Sequence, residues 1–202
     1  MSTALLSMQT PTLDALTRAR ALQLPEKCES ERLILLASNA THTQETFEAA
    51  HESRHELSAW MPWAYPEPTQ QGIAEHHANA RSRWFARDFL DFQIYEKSTG
   101  KLVGKCGFHH TDWTIPKLEI GYWLRSSAVG NGYCSEAVKA MAAFAKNELG
   151  ATRLEICNDP LNEKSRRVAE RCGFVLEGIL RQNFRAPDGS LRDSCMYALV
   201  LT

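Results

Sequence analysis

Apolar positions along the chain change period part-way, and the change predicts the order of elements. Thr10-Pro11 followed by LDALTRARAL reads as a helix with proline in its first turn. RLILL at 32–36 is the first strand. Residues 43–58 form a polar, helix-compatible run, and it ends in AWMPWAYPEP, whose three prolines forbid regular structure. Residues 69–87 read as another helix. The period then drops to two. FQIYE (92–96), the turn KSTG and KLVGKCGF (101–108) predict a hairpin, and KLEIGYWLR (117–125) predicts a further strand. In that strand Leu118, Ile120, Tyr122 and Leu124 share one face, and Glu119, Gly121 and Trp123 share the other. A helix follows at 133–149, apolar at Ala137, Ala140, Met141 and Phe144 and stopped by Gly150. RLEIC (153–157) is a strand and 162–172 a helix stopped by Gly173. Two strand-like runs, 174–185 and 191–201, flank the turn APDGS. The order β-α-α-β-β-β-α-β-α-β-β mixes hairpins with crossovers, so an α/β chain with a mixed, twisted sheet of about seven strands flanked by helices is expected.

Composition narrows the class. The chain has 202 residues, 44% hydrophobic and 23% charged, enough to bury the core of one globular domain. Residues 1–28 are expected to be an N-terminal helical extension and 29–202 the body. A net charge of −1 supplies no basic field for nucleic acid or an anionic membrane surface. The six cysteines form no C-x-x-C pair and several sit in apolar runs, as expected of reduced thiols in a cytoplasmic protein. MSTALLSMQT lacks the basic start of a signal peptide, and no apolar run approaches a membrane span.

Three stretches carry candidate chemistry. HESRH, 51–55, fits the zinc-peptidase pattern H-E-x-x-H, but Arg54 lies between the histidines and Glu45, Glu48, Glu52 and Glu56 make the helix solvent-facing. The expectation is two exposed histidines and no metal. In RSSAVGNGY, Gly130 and Gly132 stand where a strand gives way to a helix. Bare amides at a positive helix end suit a phosphate or pyrophosphate, although any tight strand-to-helix turn may use glycine. In DPLNEKSRRVAERCGF, Leu161, Ser165, Val168, Ala169 and Cys172 fall on one helical face. Ser165 then points inward, where its hydroxyl needs a partner; bonding its own backbone is the alternative.

Taken together, EIGYWL, G-x-G-Y-x-x-E-A, N-x-x-S-R-x-V-A-x-x-x-G-F and L-E-G resemble the GNAT superfamily of acetyl-CoA-dependent N-acetyltransferases over about 29–200. More narrowly, they are similar to the ribosomal-protein N-terminal (alanine and serine) acetyltransferases. The resemblance implies a sheet splayed open between its fourth and fifth strands, with pantetheine in the cleft. It implies that the backbone of Trp123 and Leu124 binds the pantetheine arm. Val129, Gly130, Asn131, Gly132, Tyr133 and Cys134 would hold the pyrophosphate, and Asn162 would contact the coenzyme. Arg167 or Arg166 would reach the 3′-phosphate, with a solvated arginine pair as the alternative. It also implies that Ser165 serves the leaving thiolate, the position of the tyrosine acid used elsewhere in the superfamily being Ala169. Two departures stand out: Ser127 replaces the usual Gln or Arg before the first glycine, and Asn183 and Phe184 occupy the place of the subfamily's glutamate base.

A base is therefore sought elsewhere. Glu119, on the strand face beside the splay, is the first candidate, and His109 and His110 are the alternatives. Trp60, Met61, Trp63 and Tyr65 are expected to line the acceptor pocket or else to cap the core. The expected reaction is acetyl transfer to a primary amine, a protein N-terminus such as that of a ribosomal protein. A small-molecule amine (antibiotic, polyamine or amino sugar) and a non-catalytic acyl-CoA sensor are the alternatives, in a monomer or homodimer.

Overall fold

The computed structural model describes residues 10–201 apart from Pro187, and side chains from residue 15 onward. The opening segment read above for a signal peptide, and Pro187 in the APDGS turn, lie outside the described residues. Eight strands form one sheet in the order β1-β2-β3-β4-β5-β6-β8-β7. They are β1 (Lys27–Glu29), β2 (Leu33–Ala37), β3 (Leu90–Glu96), β4 (Leu102–Asp112), β5 (Lys117–Leu124), β6 (Arg153–Asn158), β7 (Val175–Arg185) and β8 (Leu191–Val200). The strand beyond the expected seven is β1, three residues paired with β2. The helices are α1 (Thr10–Ala21), α2 (Thr43–Glu52), α3 (Arg54–Ser58), α4 (Gln70–Ala86), α5 (Tyr133–Leu149) and α6 (Glu163–Arg171). α1 is tied to the body through Arg87, whose Nε donates to Ala19 O at 3.0 Å.

Alternation in β3 and β4 sends their even-numbered apolar residues to the α5 side. Phe92 and Phe108 meet Phe144 of α5 with ring centroids 5.4 and 6.4 Å apart. Buried side chains of this size each contribute about 1.5–3 kcal/mol. The odd-numbered residues Asp91, Gln93 and Lys105 face the other way and are buried too.

β5 and β6 are parallel, which requires a crossover, and α5 supplies it. They pair only at Lys117 with Arg153, Leu118 with Leu154 and Glu119 with Glu155. Beyond that point β5 runs on to Leu124 and β6 to Asn158 without pairing to each other. The parting falls between the two strands that the resemblance implied.

Three readings change. β4 runs on to Asp112 because pairing with β5 resumes at Asp112 and Lys117, so His109 and His110 belong to a strand and not to the loop after it. The run 43–58 breaks at buried Ser53, so His51 and His55 fall on different helices, both exposed, and the i, i+4 face of HESRH does not form. Leu161 precedes α6 and is 71% exposed, so it does not share the inward face with Ser165.

Candidate active site

The glycine loop lies between β5 and α5, on the strand that parts from β6. Gly130 (φ 93°) and Gly132 (φ 79°) are both left-handed, a conformation open to glycine and costly for other residues. Gly132 is the N-cap of α5 and has no side chain to cap it, so first-turn amides stay available to an anion. The loop is braced from outside. Arg32 Nη1 donates to Asn131 O at 3.0 Å, and Arg32 Nε donates to Glu136 Oε2 at 2.7 Å. Glu136 also accepts from Ser30 Oγ at 2.6 Å and Arg32 N at 2.8 Å. Burial would raise the Glu136 carboxyl, but these donors win and hold it below its usual range. Ser127 N donates to Glu52 at 2.9 Å, and Glu52, lowered to about 2 chiefly by Arg125, anchors the approach to the loop. Burial pushes the Cys134 thiol up to about 12.

Across the parting stands Ser165. Asn162 caps α6 by accepting from Ser165 N at 3.1 Å, which orients the serine. Ser165 Oγ is 3.0 Å from Tyr122 Oη and accepts from Asn158 Nδ2 at 3.3 Å. One residue from each lip and one from α6 thus converge. Asn158 Oδ1 is buried without a partner, so the cleft holds an acceptor for an N–H. Burial raises the Tyr122 phenol well above its ordinary value, which keeps it a donor.

A cavity of about 470 Å³ lies against β4 and β5, with Tyr122 also on its wall. Its walls include Met61, Trp63, Phe89, His109, Gly121 and Trp123. Trp63 and Trp123 have ring centroids 5.8 Å apart. His109 pairs in register with Glu119, and its Nε2 donates to Glu119 Oε1 at 3.2 Å. His110 Nδ1 donates to Glu119 Oε2 at 2.9 Å. Burial would raise the Glu119 carboxyl, but the two histidine bonds win and lower it. With Nε2 donating, a neutral His109 carries its lone pair on Nδ1. That ring lies over Gly121, where a Cβ would come within 2.9 Å of His109 Cε1. His109 lines the cavity, and Glu119 is not among its lining residues.

The inner wall is a buried ionic network. Lys105 Nζ donates to Asp91 at 2.6 Å and to His77 Nε2 at 3.0 Å, and His76 Nε2 donates to Asp91 at 2.9 Å. An ammonium only donates, so His77 Nε2 accepts and its Nδ1–H donates to Thr43 Oγ1, 3.2 Å away. Burial, then Lys105, pulls His77 from its ordinary 6.5 down to about 3. Burial opposes ionisation of Asp91, yet Lys105 and His76 leave it far below the carboxylate range.

Among the sequence candidates, the structure places Met61, Trp63, His109 and Trp123 on the cavity wall, with Glu119 behind His109, and Ser165 and Asn162 at the parting. Trp60 and Tyr65 are not among the cavity residues. Trp60 instead lies 5.9 Å beneath the Arg192 guanidinium, and Tyr65 is exposed. Arg167 is exposed and pairs with Glu163 at 2.9 Å. Leu124 and Val129 sit where the parted strand and the loop were expected. Sequence reasoning missed Arg32, Glu52, Asn158 and the Asp91–Lys105 pair. A usable signal existed for the last: polar residues at alternate positions inside otherwise apolar strands.

A family description, acetyltransferase (GNAT) domain, matches residues 32–175. The chain belongs to this family. YdaF of Bacillus subtilis (strain 168) is 37% identical over 101 residues, 50% of this chain and 55% of that protein, so the match spans about half its length. The ribosomal-protein-serine acetyltransferase of Escherichia coli (strain K12) is 28% identical over 156 residues, 76% of this chain and 84% of that one. The structure of RimL, a ribosomal L7/L12 alpha-N-protein acetyltransferase in complex with coenzyme A, superposes with a TM-score of 0.81 over 87% of this chain and 98% of that one. At 22% identity it establishes the fold. Among the described residues no helix is long and apolar enough to cross a membrane.

Proposed function

We propose that the protein transfers the acetyl group of acetyl-CoA to a primary amine, with the α-amine of a protein N-terminus as the favoured acceptor. The parting of β5 from β6 beside the glycine loop carries this reading: it is a slot for an extended arm, with an anion site at one end and the cavity at the other. The E. coli relative acts on a ribosomal protein by name, and RimL was solved with coenzyme A, which supports both halves of the reading. Trp123 and Leu124 would offer backbone to the pantetheine arm. The amides of 129–134 would take the pyrophosphate, Asn162 and Arg167 would flank the coenzyme, and Asn158 Oδ1 would accept one of its N–H groups.

In the reaction the amine must be neutral. An α-amine is about one-tenth neutral at pH 7, a lysine amine about one part in a few thousand. A base of imidazole strength therefore suffices for the former. His109 Nδ1 takes the amine proton, and Glu119 holds the ring through Nε2. Backbone N–H groups of β5 stabilise the oxyanion. Ser165, in contact with the Tyr122 hydroxyl, donates toward the departing thiolate.

The polyamine and amino-sugar alternative fits less well. The cavity wall carries Arg83 and Lys105 against one carboxylate, Asp91, which disfavours a polycation. A non-catalytic acyl-CoA sensor would bind the thioester without consuming it. The decisive assay follows thiol release from acetyl-CoA with N-terminal peptides, spermidine and an amino sugar as acceptors. Turnover on the peptides is expected. Turnover on the small amines alone overturns the acceptor class, and coenzyme binding with no turnover on any amine overturns the enzyme.

A further inference from the structure

We propose that His109, His110 and Glu119 form a binding site for a divalent transition-metal ion that silences the base. The ligand atoms of the three residues lie within 4.8 Å of one another, and among the described residues this is the one such cluster. Two histidines and one carboxylate are the donor set of open, three-ligand zinc sites, with the remaining position left to water.

Strand geometry does not bring these groups together by default. Neighbouring residues in a strand point to opposite faces, so His109 and His110 ought to diverge. The register between β4 and β5 shifts between His109 and Asp112, a bulge of the kind that re-aims a side chain. His110 sits inside it with φ 48°, a left-handed conformation uncommon in residues other than glycine. The result is that both imidazoles reach the same carboxylate, one oxygen each, at 3.2 and 2.9 Å. Their ring centroids are 4.7 Å apart. Gly121 opens the room that His109 needs. His110 is 76% exposed in its side chain while Glu119 is 15% exposed, so an ion enters from solvent past a movable ligand onto a fixed one. Hydrogen bonding to two rings alone would also solvate the carboxylate, and the experiment below separates the two cases.

An ion in this position replaces the two N–H bonds that point at Glu119. Taking the Nε2 lone pair of His109 forces the ring proton to Nδ1, the atom assigned above to the amine proton. No bond to carbon changes: one N–H moves from Nε2 to Nδ1 through solvent, and the base is lost until the ion leaves. This inhibitory consequence rests on the base assignment above; the metal site does not. The six thiols offer little competition, since burial raises every one of them and keeps it protonated.

The test titrates Zn²⁺ into metal-free protein by calorimetry, with Co²⁺ absorption to report ligand type. One ion per chain is expected, with cobalt bands of nitrogen and oxygen ligation and no thiolate charge transfer. His110→Asn keeps a residue that tolerates the left-handed backbone, and is expected to weaken zinc binding by roughly tenfold or more. Glu119→Gln provides a second ligand variant, with circular dichroism confirming the fold of each. Equal zinc affinity in wild type and both folded variants, or cobalt bands showing thiolate, overturns the site. Zinc should also stop acetyl transfer in wild type, reversibly with EDTA, and act more weakly on His110→Asn. Stoichiometric binding that leaves turnover intact keeps the metal site and removes His109 as the base.

Discussion

At the scale of single residues, the proposed reaction turns on which nitrogen of one imidazole is free. Glu119 looked like the base from its place on the strand, but its carboxylate is occupied by two histidines and only His109 reaches the cavity. His109→Ala should lower kcat by about a hundredfold to ten-thousandfold, the usual contribution of a positioned base, with the KM for acetyl-CoA unchanged. Glu119→Gln should lower kcat less, again without moving that KM, because it loosens a ring and removes no lone pair. Steady-state kinetics on purified variants decides both. Gly121→Ala adds a Cβ 2.9 Å from the His109 ring, so the imidazole must swing away. Turnover should fall while the thermal midpoint hardly shifts, since the atom in the way ends a movable side chain. On the far side of the cleft, Ser165→Ala should lower kcat by about a hundredfold if the hydroxyl serves the thiolate. Unchanged turnover there would remove Ser165 from the leaving-group role.

At the scale of elements, the helices, strands and glycine stops were legible because each follows from local periodicity. α5 begins and ends where its apolar spacing, Gly132 and Gly150 put it. What misled was continuity. The run 43–58 has no glycine or proline to reveal the break at Ser53, which exists because Ser53 turns inward to accept from Ser126 N at 2.8 Å. β4 outlasts its apolar stretch because its last residues pair with β5, and polar residues in a paired strand leave no hydrophobic signature. The glycine loop yields a prediction at this scale. Gly132→Ala forces a left-handed alanine, costing about 1–2 kcal/mol, and should raise the acetyl-CoA KM far more than it lowers kcat. An unaltered KM would mean that the loop does not hold the coenzyme.

At the scale of the whole molecule, the buried ionic network makes stability depend on pH in a definite direction. His77 takes up a proton at 6.5 when unfolded but only near pH 3 when folded. Its lowered value means that the unfolded chain binds the extra proton throughout that window. Its contribution is therefore complete above pH 6.5 and is lost as pH falls toward 3, by at most about 1.4 kcal/mol per pH unit. Asp91, also lowered, adds loss in the same direction at the acid end. Urea midpoints should drop from pH 7 to pH 4.5, and less steeply in His77→Gln; equal slopes would mean that the histidine is protonated in the fold. The chain's own spacing of apolar and glycine residues determined the element order, the mixed sheet and the loop at the start of α5, since these depend on neighbours within one or two turns. Only the tertiary structure decided that Ser165 meets Tyr122 and Asn158, that Arg32 and Glu136 brace the loop, and that two histidines turn onto one carboxylate. Those pairings join residues far apart in sequence or on opposite sides of a bulge, and no local period encodes a distance across a sheet.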